Sequence, residues 1–124
     1  MGGPCRLRLE VASEADAAAA IEAAVNEVAR LERKYSRYND DSLTTQINRA
    51  AGTGTATPID METAAILNYA DTAWRESGGM FDITSGVLRQ AWDFKSGQCP
   101  LQSELDDLLP LVGWQQVQRD ERGE

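Results

Sequence analysis

Carboxylates carry most of the chemistry this sequence can offer. Its 124 residues contain 0 His, which removes the usual proton shuttle near neutral pH and the commonest zinc ligand. Asp40, Asp41 and Asp82 invite a Mg site, since hard cations prefer carboxylate oxygen. The adjacent Asp40-Asp41 pair reads instead as turn chemistry, because such side chains bond readily to nearby backbone amides. Tyr38 lies in the same polar stretch, where its ring can stack on a base and its hydroxyl can make a hydrogen bond; a loop tyrosine covering a core edge has the same signature. Asn48 can read an adenine edge through its amide or be solvated. Gly78-Gly79 lets the backbone approach a ligand closely, and equally ends a helix. Trp74, Trp92 and Trp114 read as core. Cys5 and Cys99, in no C-x-x-C pair, make neither a metal knuckle nor a dithiol redox centre.

These groups sit in a chain of ordinary soluble composition, 42% hydrophobic and 26% charged, with the length of one domain. A net charge of −8 repels phosphate backbones and anionic membranes, so nucleic acid is excluded as a first choice of partner. No apolar run approaches the ~20 residues that cross a bilayer, and the first residues lack the basic-then-apolar layout of a secretory signal.

The elements that must position the candidate residues follow from periodicity and caps. Residues 5–11 alternate apolar and charged side chains, the period of a strand with one buried face. Ser13-Glu14-Ala15-Asp16 resembles a capping box ahead of Ala17, Ile21, Ala24, Val28, Leu31 and Tyr35 at helical spacing. Ser42 caps a short helix carrying Leu43, Ile47 and Ala50 until Gly52. Asp60 caps a third through Ala64, Leu67, Ala70 and Trp74, stopped by Gly78-Gly79. Ser85-Gly86 opens a short fourth helix, Ser103-Glu104-Leu105-Asp106 opens a brief fifth, and residues 114–119 have strand character. The expected class is therefore α+β, with helices packed on a small antiparallel sheet. A strand-like segment followed by the turn residues 120–123 suggests a piece of a longer protein that would complete the sheet.

Four landmarks stand in order: Met1-Gly2-Gly3 before the first strand, Ser36-Arg37-Tyr38-Asn39-Asp40-Asp41-Ser42 with Asn48 beyond it, Ser77-Gly78-Gly79-Met80-Phe81-Asp82-Ile83-Thr84, and Trp92-Asp93-Phe94. Together they resemble the amino-terminal half of the ApbE family, the FAD:protein FMN transferases once described as thiamine biosynthesis lipoproteins. The resemblance covers the whole chain, 1–124, including Val112-Gly113-Trp114 where members commonly show Val-Gly-Tyr. Gly3 stands where the family often has Thr, and Leu43 where it often has Glu.

The resemblance implies Mg-dependent transfer of FMN from FAD to a threonine of a target flavoprotein. It implies that Met1 sits beside the flavin, that Tyr38 packs near the nucleotide, and that Met80, Phe81 and Asp82 line the FAD cleft. Asp82 is then a cleft residue whose carboxylate accepts hydrogen bonds from flavin or from neighbouring backbone, and not a metal ligand. The family's metal-binding Asp and Thr, its Lys and its later Glu belong to a second half, so this half is expected to form part of the FAD cradle and to be inactive alone. Family members are often periplasmic or membrane-anchored lipoproteins, so a membrane contact here would need an anchor preceding this segment. An uncovered sheet edge and apolar face are expected to make the chain self-associate. Two other classes fit the same residues: a non-catalytic flavin- or protein-binding module, and an acidic helical scaffold whose Gly-Gly turn is only structural.

Overall fold

A computed structural model describes residues 6–92 and 96–120. The chain divides into two compact units, Met1–Thr57 and Pro58–Glu124.

The first unit is a helical pair. Helix α1, Glu14–Tyr35, begins at Ser13, whose side chain accepts from the Asp16 amide and donates to the Asp16 carboxylate at 2.7 Å. Glu14 and Asp16 lie in its first turn and Arg33 and Lys34 in its last, each placed to favour the helix dipole. Helix α2, Leu43–Ala50, contacts α1 and is capped by Ser42. Between them, residues 36–42 form a loop held by its own side chains. Asn39 Nδ2 donates to the Arg33 carbonyl and Asn39 Oδ1 accepts from the Asp41 amide, both at 3.1 Å. Ser42 is 1% exposed; its Oγ donates to Thr45 Oγ1, which in turn donates to the Asn39 carbonyl at 2.8 Å. Asn39, and not the Asp40-Asp41 pair, uses its side chain to bond a turn amide here: the Asp40 carboxylate pairs with Arg49 at 2.8 Å and the Asp41 carbonyl accepts from Gln46.

The second unit is built on helix α3, Met61–Glu76, whose cap Asp60 accepts from both the amide and the hydroxyl of Thr63. A 3-10 helix follows at Ile83–Gln90, then α4, Gln102–Leu108, and two short 3-10 segments at Leu109–Leu111 and Trp114–Gln116. The Ile83–Gln90 helix starts two residues ahead of the expected Ser85-Gly86 opening, because Asp82 accepts from the Thr84 amide and so caps it. Helix α4 likewise starts ahead of Ser103, where the Leu101 amide donates to the Glu104 carboxylate at 2.8 Å. Among the described residues of this unit, Thr63, Ala70 and Trp114 are buried.

The expected α+β class is overturned: the described residues contain no strand. Residues 6–11 keep their alternation yet have no regular structure, and Leu7, Leu9 and Val11 are exposed. Alternation specifies a face, but a strand also needs a neighbour to receive its amide and carbonyl hydrogen bonds, and among the described residues none pairs with this segment. At the other end, Gln116 N–H donates to the Gly113 carbonyl and Val117 N–H to the Trp114 carbonyl, closing tight turns where a strand was expected. Among the described residues there is therefore no sheet edge. Exposed apolar side chains are present instead along α1 at Ile21, Val25 and Val28.

The α1–α2 loop yields a test of which polar contacts matter. Asn39→Ala removes the two bonds that fold the loop back on itself and should destabilise the chain by about 1–2 kcal/mol. Asp40→Ala removes only an exposed ion pair and should cost less than about 0.5 kcal/mol. Urea unfolding of both variants checks the order.

Candidate functional site

Helix α3 ends in a Schellman arrangement, in which the Gly79 amide donates to the Trp74 carbonyl at 2.9 Å and the Gly78 amide to the Arg75 carbonyl at 3.1 Å. That closure needs left-handed backbone, and Gly78 and Gly79 have φ of +62° and +84°, values that cost a side-chain-bearing residue energy. Ser77 then ties the next residues to the helix end. Its Oγ donates to the Trp74 carbonyl and accepts from the Phe81 amide at 2.9 Å, while the Met80 amide donates to the Ser77 carbonyl. Met80 and Phe81 thus ride on backbone anchored to α3. Their side chains are 91% and 47% exposed.

Asp82 anchors the other end of this arch. Its Oδ1 accepts from the Thr84 amide at 2.8 Å and from the Thr84 hydroxyl at 2.6 Å, and its Oδ2 accepts from the Trp114 amide at 2.9 Å. Thr84 Oγ1 also accepts from the Gly113 amide at 2.8 Å. Half-burial pushes the Asp82 carboxyl up, but the bonds from the Thr84 hydroxyl and from the Trp114 and Thr84 amides outweigh it and hold the group below its ordinary value. Its donors in this structure are thus two backbone amides and one side-chain hydroxyl.

Trp114 is gripped a second time. Its indole Nε1 donates to Asp71 Oδ1 at 2.8 Å, and Asp71 Oδ2 pairs with Arg75 at 2.9 Å. The indole bond holds the Asp71 carboxyl below its ordinary value; partial desolvation opposes this, and the Arg75 and Arg119 charges add to it. Arg119 lies over the indole at 5.3 Å and donates to Asn68 at 2.7 Å.

The predicted site residues are therefore placed as follows. Met80, Phe81 and Asp82 form one continuous arch in the second unit. Tyr38, in the first unit, is 79% exposed with the Arg37 guanidinium 5.3 Å from its ring. Asn48 is exposed on α2. Met1, Asp93 and Phe94 lie outside the described residues. Of the tryptophans expected in the core, Trp114 is 6% exposed, Trp74 is half-buried and Trp92 is 37% exposed. Among the described residues no group of three His, Cys, Asp or Glu could hold a metal ion. Sequence reasoning missed Asp71 and the Trp114 backbone as partners of the arch. The only signal for Trp114 was the Val112-Gly113-Trp114 landmark, which pointed to a strand; Asp71 gave none, being one more acidic residue on a helix.

A family model, described as the ApbE family, matches residues 1–124. No curated protein matches the sequence significantly. The fold is similar to that of the ApbE protein of Thermotoga maritima, seen in a crystal structure, with a TM-score of 0.74 and 23% identity over 86% of this chain. At that identity the likeness is one of fold. The chain spans about a third, 35%, of the length of that structure.

The paired carboxylates predict how stability depends on pH. Because Asp82 and Asp71 have folded pKa values below the ordinary 3.8, the folded chain binds fewer protons than the unfolded one in that range. Their contribution is complete above the ordinary value and is lost as the pH falls below 3.8 through the folded values. Asp82→Ala should remove much of this acid-side slope and cost about 1.5–3 kcal/mol at neutral pH. Unfolding free energies of parent and variant from pH 7 down to about pH 2 check both statements.

Proposed function

The chain belongs to the ApbE family, and from that membership we propose that it forms part of the flavin cradle of an FAD:protein FMN transferase. The observation that carries the proposal is the anchored arch: within a family match spanning 1–124, Met80 and Phe81 expose apolar side chains on a backbone fastened at both ends. FAD is a long dianion with a flat apolar ring system at one end, and such a ring gains contact area on exposed apolar side chains that do not have to be ordered first. Tyr38 offers an exposed aromatic face of the kind that stacks on a base. Asp82 serves the site by holding the arch, its oxygens being occupied by the Thr84 and Trp114 donors.

In the reaction proposed, the hydroxyl oxygen of a target threonine forms a bond to the FMN phosphorus. The pyrophosphate bond breaks, AMP leaves, and the threonine proton passes to a base. Mg supplies charge neutralisation at the pyrophosphate in such chemistry. The described residues do not fit that ion, so the metal and the base are assigned to the part of the family domain that this chain does not span. The residues of this chain bind and orient the flavin.

Incubating the full-length protein with FAD, Mg and a threonine-bearing flavoprotein target should add the mass of FMN to the target, on threonine. Residues 1–124 alone should add none, and a gain with them alone would overturn the division of labour. Bound flavin with no mass gain by the full-length protein would favour a non-catalytic flavin-binding module.

A further inference from the structure

Trp114 stands between the two roots of the Met80–Phe81 arch. One root is the end of α3, where Trp74 and Arg75 provide the carbonyls that close the Gly78-Gly79 turn. The other is Asp82. The indole N–H of Trp114 donates to Asp71, one turn before that helix end, and its backbone N–H donates to Asp82, the residue after Phe81. The same residue is thereby fastened to both roots by two carboxylates. Its ring has little room to shift: it is 6% exposed, and Arg119 lies over it while bonding back to Asn68 on α3.

A tryptophan serving only as core would need its ring buried and its indole N–H satisfied by any acceptor. Here, in addition, its main-chain N–H is spent on Asp82, so the ring held at Asp71 and one of the three donors to Asp82 belong to the same residue. We infer that the Asp71–Trp114 pair is a positioning device that sets the placement of Phe81 for flavin, without touching the flavin itself. The inference rests on the reading of Met80–Phe81 as a flavin-facing arch. It adds that affinity for FAD depends on an aspartate in the last third of α3.

The test is a double-mutant cycle on FAD binding in the full-length protein, followed by flavin fluorescence at a temperature where each variant is fully folded. Asp71→Leu should weaken FAD binding by about 3- to 10-fold, the scale of coupling between groups in one network. Asp71→Asn keeps an acceptor for the indole and should bind as the parent does. In a Phe81→Ala background, Asp71→Leu should have no further effect on FAD affinity, because the residue it positions is gone. A purely structural role lowers the melting temperature in both backgrounds and leaves the affinity of folded protein unchanged. Should Asp71→Leu fail to fold, Trp114→Phe removes the same bond while keeping a ring, and enters the same cycle. A parent protein that binds no FAD overturns the flavin reading and this inference together. A parent that binds FAD, with Asp71→Leu silent or additive with Phe81→Ala, overturns this inference alone.

Discussion

A carboxylate drawn partly out of water must be given donors in exchange, and in the second unit that exchange organises the structure around Asp82. It receives the Thr84 amide, the Thr84 hydroxyl and the Trp114 amide. Each bond does a separate job. The Thr84 amide makes Asp82 the cap of the Ile83–Gln90 helix, the Thr84 hydroxyl relays the contact to Gly113, and the Trp114 amide ties residues 32 positions apart in sequence. A hydrogen bond to a charged acceptor is worth more than a neutral one and is costly to leave half made. The network therefore holds together in a unit whose only buried apolar side chains, among the described residues, are Ala70 and Trp114.

The first unit reaches order by a different route. Its loop 36–42 is closed by contacts between residues at most nine positions apart, through Asn39, Ser42, Thr45 and Arg49. Short loops closed by side chain to backbone bonds lose little entropy on ordering, and Tyr38 is exposed on this one. The two units thus offer exposed aromatic or apolar groups on fastened turns.

The chain belongs to the ApbE family and spans 35% of the length of the Thermotoga maritima structure whose fold it resembles. In the function proposed above this chain contributes orientation and apolar contact; among the described residues no group of three His, Cys, Asp or Glu could hold a metal ion. Of the acidic side chains that first suggest a cation, Asp40 is paired with Arg49 and Asp82 is engaged with the Thr84 and Trp114 amides.

The sequence by itself determined the helix boundaries set by caps and the family. Ser13, Ser42 and Asp60 each cap through an amide only three residues away, and Gly78-Gly79 stops α3 through carbonyls at most five residues back. Such contacts are written in neighbouring residue types, so they can be read before any fold is known. The Ser77–Thr84 landmark was legible in the same way, as a run of residues. Tertiary structure decided everything that depends on a distant partner. Residues 6–11 have the alternation of a strand and no ladder, residues 114–116 close into a 3-10 turn whose first amide is taken by Asp82, and Asp71 acquires a role only because an indole 43 positions away reaches it. Periodicity reports which face of a segment is apolar. It is silent on which distant donor or acceptor will meet that segment, since pairing is a property of two segments and each sequence pattern describes one.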